Sequence, residues 1–538
     1  MSEEYEYIII GAGSAGCVLA NRLSANPKNT VLLLEAGGPD NNMNIHIPGA
    51  YTKIHKSKED WGFWTEEQEH VLNRKIYLPR GKTLGGSSST NAMAYVRGNA
   101  ADYDGWAALG NPGWSYKEVL PFFMKSENHA QAELLDKNFH SNQGELHVTV
   151  AEKFKTPFVD SFLDSCVAVG IPKTKDYNGK TQEGAGLVHS TIKDGKRCSA
   201  AAAFLKPILG RKNLKVVTKA RVSKILLEDK KAVGVAYIVE NISREAIAKK
   251  EVILSAGAFH SPQILLLSGI GEASQLKRQG IDCLHELKGV GKNLKDHLFC
   301  PISISTNTQE GINHYIPILN QLKASWNYFV HKKGVFSSGP LEGMAFFDIH
   351  QQGNSANFQF HFSPIWMGDQ YGYDAYDLKS YPRVDGLTIL PTLLHPKSSG
   401  SVSLSSSNPY DPPVIQPNFL QEKEDLLLLL KGVKLAIKVL EEAPLKKHRK
   451  AFGLQVDKKN DKELMDHIKQ TLETVYHPVG TCKMGKDSLA VVDHELKVHG
   501  IEGLRVVDAS IMPKIVSGNT NAPTYMIAEK ASEMILTV

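Results

Sequence analysis

Residues 5–35, YEYIIIGAGSAGCVLANRLSANPKNTVLLLE, decide the fold. Tyr5 to Ile10 is a short apolar, β-branched run that reads as a strand. Gly11, Gly13 and Gly16 follow it as G-x-G-x-x-G, and Val18 to Leu23 carries helical spacing. A second apolar strand, Val31 to Leu34, ends on Glu35. In such a βαβ unit Gly11 permits the tight turn, Gly13 lets the backbone approach a pyrophosphate, and Gly16 lets helix and sheet pack closely. The unpaired N–H groups of the helix N-terminus favour negative charge. Glu35 is placed to accept hydrogen bonds from an adenosine ribose and disfavours a 2'-phosphate. Glycines at this spacing also serve ordinary turns. The strand, helix, second strand and terminal acid together point to a dinucleotide, with NAD and FAD both open.

Outward from this unit, a chain of 538 residues calls for two or three domains. Hydrophobic and charged contents of 42% and 22% are those of a globular protein. A net charge of +5 is small beside 62 basic and 57 acidic residues and argues for no nucleic-acid partner. Cys17, Cys166, Cys198, Cys283, Cys300 and Cys482 show no C-x-x-C pair, which speaks against a disulfide framework or a zinc site, so no metal is expected. Reduced thiols in a cytoplasmic setting are the plain expectation. Glu3, Glu4 and Glu6 lead straight into the first strand with no secretion signal. The Leu426–Leu430 run, broken by Lys431, Lys434 and Lys438, reads as a buried amphipathic helix rather than a membrane span. Peripheral contact at the inner membrane face stays open.

Further along, Arg80 to Arg97 reads RGKTLGGSSSTNAMAYVR, a shaped loop approaching a ligand. From Gly81 to Asn91 it resembles the first signature of the glucose-methanol-choline (GMC) oxidoreductases, FAD-dependent enzymes that oxidise alcohols. Gly257 to Gly271 is similar to the second signature, G-A-x-x-S-P-x-I-L-x-x-S-G-I-G. Asp104 and Trp106, GVGKNLKDH (Gly289–His297), HPVGTCKMG (His477–Gly485) and GLRVVDASIMP (Gly503–Pro513) extend the likeness over the whole chain. The resemblance implies an α/β and α+β architecture: a Rossmann-like FAD domain with a parallel sheet and helices, and a substrate domain with an antiparallel sheet backed by helices. The first is expected over residues 1–155, 205–300 and 465–538, the second over 156–204 and 301–464.

The resemblance also chooses FAD. In some members a histidine before the asparagine of the first signature bonds the flavin covalently. Thr90 stands there, so non-covalent FAD is implied. The glycine motif and the resemblance together give as cofactor contacts Gly11, Gly13, Ser14, Ala15, Gly16, Glu35, Ala36, Gly85, Ser88, Asn91, Ala92, Val222, Ala256, Asp508, Ala509 and Asn521. His477 matches the family's base facing the flavin. Asn521 in SGNTNAPTYMIAEKAS matches the second catalytic position, with Asn519 the alternative if the register is off by two. Glu342 in GPLEGMAFF and Tyr476 are substrate candidates. Glu342 would meet a quaternary ammonium such as choline only if desolvated and ringed by aromatics.

The expected activity is oxidation of a small-molecule alcohol to an aldehyde or ketone, with electrons passing to a quinone or carrier. An oxidase giving peroxide to oxygen is the alternative. A lyase or photodecarboxylase on the same fold, and a non-enzymatic flavoprotein, complete the set.

Overall fold

The structure is a computed structural model and describes residues 3–150, 154–350, 355–368, 377 and 380–537. Its first sheet is built on the N-terminal unit. Strand Glu3–Ile10 lies between Val31–Leu34 and Ile242–Leu254, parallel to both, and Leu214–Val217 extends the far side of Val31–Leu34. After an irregularity between Tyr5 and Tyr7 the register runs unbroken to Ile10, with Ile9 beside Leu33 on one side and Ile253 on the other. The segments Ile8–Ile10, Val31–Leu34 and Val252–Leu254 of these strands are buried apolar runs because the sheet is covered on both faces there, as parallel strands are. An antiparallel meander, Arg221–Glu228, Lys231–Val239 and Ile242–Leu254, flanks the parallel part, and Leu504–Val506 returns late in the chain to pair with Ile242–Leu254.

The helix after the first strand runs from Ser14 to Leu23, so it starts earlier than the apolar spacing from Val18 suggests. Gly16 sets how closely it packs: a Cβ there would sit 1.9 Å from the Gly11 carbonyl oxygen. Arg22 of this helix pairs with Glu529 at 2.6 Å and Glu145 at 2.5 Å. Glu529 lies on the helix Asn521–Leu536, which tolerates Pro523 in its first turn, where the missing N–H would have no intrahelical partner. This ion pair holds the two helices together, and the Ser14–Asn521 hydrogen bond joins their N-termini beyond the C-terminal end of the central strand Glu3–Ile10.

The second sheet is antiparallel throughout, in the order Arg449–Phe452, Ile302–Thr306, Gly386–Leu393, Phe358–Ser363, Gly343–Phe347, Gly184–Leu187. Helix Lys423–Glu441, which contains the leucine run, lays Leu429, Val433, Ala436, Ile437 and Leu440 on it. Gly432 is needed there, since a Cβ would meet the Phe358 ring at 2.2 Å. Every strand of the first sheet falls in the segments expected for the FAD domain. The second sheet also recruits Leu298–Phe299 and Glu473–Thr474 from those segments, so the chain crosses between layers next to the HPVGTCKMG motif.

Candidate active site

A cleft of about 360 Å³ opens between the two sheets. Gly11, Gly13, Ser14, Ala15, Glu35, Ala36, Val222, Ala256, Asp508, Ala509 and Asn521 wall its nucleotide end, and Asn91 and Ala92 also line it. A Cβ placed on Gly13 meets no protein atom within 4 Å, and the same holds at Gly257. Packing therefore does not demand glycine at position 13; room for a ligand does. Glu35 accepts the Ala12 N–H at 2.8 Å and the Gly37 N–H at 2.7 Å, one on each oxygen, which leaves each oxygen a second lone pair for a hydroxyl donor. Burial pushes its carboxyl up to about 7. Asp508 accepts from the Gly257 and Ser510 N–H groups, both at 2.8 Å, and from the Ser261 hydroxyl, fixing the loop that borders the cleft. These residues fit a flavin dinucleotide, with Gly11 to Ser14 toward the pyrophosphate and Glu35 toward the ribose.

Three expected contacts stand behind the wall. Gly16 packs on Gly11 instead of facing the cleft. Gly85, at φ +88°, turns the serine loop, and Ser88 closes it by donating to the Gly85 carbonyl and accepting the Ala200 N–H; Gly86, Ser87 and Thr90 reach the cleft in their place. A dense Gly-Ser run does not itself show which of its residues face outward. Glu342 is also displaced from the expected site. It is buried, but its carboxylate accepts the Thr156 N–H at 2.9 Å and the Thr156 hydroxyl at 2.6 Å at the start of helix Pro157–Ala168, and it does not line the cleft. Tyr476 does line it.

At the opposite end stands His477. Tyr476 before it takes φ +64°, a strained conformation for a bulky residue. Two groups hold it there: Arg80 donates to the Tyr476 carbonyl at 2.5 Å, and Asp296 accepts the N–H groups of His477 and His297, both at 2.8 Å. The His477 ring meets a second imidazole and an amide. Its Nδ1 lies 3.0 Å from Nδ1 of His297, and its Nε2 lies 3.1 Å from the Asn519 amide nitrogen. Gln359 donates to the Asn519 amide oxygen at 3.3 Å, and His361 meets the same amide. Asn521 is elsewhere, its amide oxygen accepting the Ser14 hydroxyl at 2.6 Å. The expected His477–Asn521 pair is thus corrected to His477–Asn519, and Asn521, the first residue of its helix, faces the nucleotide end.

The hydrogen-bond network assigns the tautomer of His477. Burial lowers His297 to about 3, so that ring is neutral and carries one N–H. Gln359 donates to the Asn519 amide oxygen, so the Asn519 amide nitrogen donates to His477 Nε2 and makes that nitrogen an acceptor. His477 Nδ1 then carries the ring proton and donates to His297 Nδ1, while the lone pair of His477 Nε2 accepts the Asn519 amide N–H at 3.1 Å. Burial, followed by His297, His361 and Arg80, holds His477 well below the usual histidine range.

Sequence reasoning gave no role to Asp296, His297, Gln359 or His361. The first two lie in the GVGKNLKDH motif, and their acid and imidazole were the available signal. Gln359 and His361 sit inside an apolar strand and look like interior polar residues. One comparison separates the two asparagines: Asn519→Ala should lower kcat by roughly 100-fold or more, as removal of an oriented donor does, with FAD retained. Asn521→Ala should weaken FAD retention more than it lowers kcat of loaded enzyme. Equal kcat losses in FAD-loaded variants would undo the distinction.

Two family models described as GMC oxidoreductase match the chain, one over residues 5–299 and the other over 396–528. The chain is 42% identical to an alcohol dehydrogenase [acceptor] of Pseudomonas putida, over 99% of its own length and 96% of that relative's. It is 40% identical to the mitochondrial choline dehydrogenase of Homo sapiens, over 99% and 90%. Among solved structures it superposes on pyridoxine 4-oxidase from Mesorbium loti with TM-score 0.88, 29% identity and 98% of each chain covered. A variant of the Aspergillus oryzae formate oxidase gives TM-score 0.92 at 26% identity, over 99% of this chain and 98% of that one.

Proposed function

The chain belongs to the GMC oxidoreductase family, and on that premise we propose that it oxidises an uncharged, apolar alcohol and passes the electrons to an acceptor other than oxygen. The reaction class is FAD-dependent oxidation of a CH–OH group. The substrate class rests on one observation. Among the described residues lining the cleft the only acids are Glu35 and Asp508, both at the nucleotide end. Around His477 the walls are Phe299, Leu341, Ile365, Met367, Tyr381 and Leu390, which offer an alkyl chain a place and a quaternary ammonium no counter-ion. Choline fits poorly here, since Glu342 is engaged with Thr156 away from the cleft.

Gly11, Gly13 and Ser14 would hold the pyrophosphate of FAD, Glu35 the ribose, and Asn91 and Ala92 would border the ring. Bound FAD supplies the hydride acceptor. The chain's own residues handle the proton. An alcohol is about as weak an acid as water, pKa ~15.7, against ~6.5 for an unperturbed imidazole, so transfer is uphill by roughly 12 kcal/mol. The depressed pKa of His477 widens that gap. His477 Nε2 therefore takes the hydroxyl proton only if the developing oxyanion is met by fixed donors: the new Nε2–H and the Asn519 amide N–H, in a site screened from water. Gln359 keeps the Asn519 amide oriented by occupying its oxygen, and His297 keeps Nε2 of His477 unprotonated, its lone pair passing from the Asn519 N–H to the alcohol hydroxyl when substrate enters between them.

The non-oxygen acceptor, a quinone or carrier, is supported by the relative named alcohol dehydrogenase [acceptor]. A cytoplasmic setting belongs to the same proposal and is supported by the six free cysteines. The test is a panel of alkanols and choline, read with an artificial dye and with oxygen. Burying a methylene is worth about 0.8 kcal/mol, so four of them should raise kcat/KM for a longer alkanol by roughly 200-fold. Faster turnover of choline than of any alkanol would overturn the substrate class. Peroxide formed as fast as dye is reduced would make the enzyme an oxidase.

A further inference from the structure

Helix Ile318–His331 is built inside out. Its buried residues are Ala324 and Tyr328, whose hydroxyl donates to the Gly195 carbonyl at 3.0 Å. The large apolar residues point the other way: Ile318, Leu319, Leu322, Trp326, Phe329 and Val330 are each more than half exposed. At about 100° per residue these six fall within an arc of roughly 120°. Single exposed apolar side chains are ordinary, but a continuous stripe of them marks a surface that is covered in use.

Charge identifies the cover. From Gly311 to Leu341 there is no aspartate or glutamate, while Lys323 borders the apolar arc and Lys332 and Lys333 follow its C-terminal end. A second copy meeting this face across a two-fold axis would bring the same lysines together. An anionic phospholipid surface would attract them and take the Trp, Phe and Leu side chains below its headgroups. Both ends of the helix are fixed to the rim of the cleft. Before it, the Asn313 amide donates to the carbonyls of Trp366 and Pro382, beside the lining residues Ile365, Met367 and Tyr381. After it, the backbone of Val335 and Phe336 crosses Gly49, next to the lining residue Tyr51. No helix among the described residues is long and apolar enough to cross a membrane.

We propose that the outward face of helix Ile318–His331 docks this enzyme on an anionic phospholipid bilayer, lying in the interface with the cleft rim turned toward the lipid. This goes beyond the catalytic reading, and flotation does not depend on turnover, so either can fail alone. The test floats FAD-loaded protein on vesicles of phosphatidylglycerol and phosphatidylcholine, or of phosphatidylcholine alone, at low salt. Most of the wild-type protein should rise with the anionic vesicles. The double variant Leu319→Glu/Trp326→Glu should rise at least tenfold less, with dye-linked activity in buffer unchanged. Lys332→Glu/Lys333→Glu should lose the preference for anionic lipid. Should the first variant lose FAD, wild-type Trp emission gives a second measure: it should shift to the blue on adding anionic vesicles, and Trp326→Phe should abolish most of that shift. Wild-type protein staying below with both vesicle types, or floating equally in the double variant, would overturn the docking site. So would a dimer dissociated by the same substitutions, which would give the face to a second copy.

Discussion

His477→Ala should lower kcat/KM for the preferred alcohol by roughly 10³- to 10⁴-fold, the upper part of the range for a lost general base, while the protein still purifies yellow with FAD. The loss is large because two contributions go together. The imidazole takes the proton, and its new Nε2–H is one of the two donors left facing the oxyanion. FAD should remain because the residues proposed to hold its pyrophosphate and ribose lie at the far end of the cleft. The wild-type pH profile belongs to the same expectation. Activity follows unprotonated His477, whose pKa is depressed first by burial. As pH falls, the neutral ring is therefore kept through the ordinary histidine pKa of about 6.5, and the acid limb should appear only well below it. Full activity in His477→Ala would remove the residue from the chemistry, and an acid limb centred near neutrality would contradict the buried, neutral ring.

The second large effect is expected at Gly13. Gly13→Val should fold, with an apo thermal midpoint close to that of the wild-type apoprotein, yet purify colourless. A Cβ at Gly13 meets no protein atom within 4 Å, and its φ of −79° suits any residue, so the fold loses little. The added side chain stands where the backbone must approach the pyrophosphate. Two charge-assisted hydrogen bonds lost at about 1.5–3 kcal/mol each would weaken FAD binding by roughly 100- to 10⁴-fold. Gly16→Val supplies the contrast: its Cβ would sit 1.9 Å from the Gly11 carbonyl oxygen, so it should fail to fold. Gly13→Val retaining wild-type FAD content would place the pyrophosphate elsewhere.

Local features were the legible ones. The βαβ unit is contiguous in the chain, and each element constrains the next, so Gly11, Gly13 and Glu35 could be given roles before any contact was known. His477 was legible through its motif. Its partners were not, because His297 lies 180 residues away and the contact depends on how the second sheet meets the first. Asn519 and Asn521 carry the same amide two positions apart. Only the start of the last helix decides that one turns to His477 and the other to Ser14. Glu342 shows the opposite error. It is desolvated as a substrate-binding acid would be, but the group it meets is a helix N-terminus. The apolar periodicity of Ile318–His331 was open to view, but a stripe at helical spacing looks the same whether a sheet covers it or nothing does.

The Arg22–Glu529 ion pair and the Ser14–Asn521 hydrogen bond fasten the first helix of the chain to a helix that begins at residue 521. During synthesis, the glycine turn emerges from the ribosome long before Leu504–Val506 can take its place in the sheet. A nascent chain therefore exposes half a nucleotide site whose closing pieces are still being translated. Premature termination ahead of residue 504 would leave a long polypeptide with most of its strands and no means of trapping its flavin.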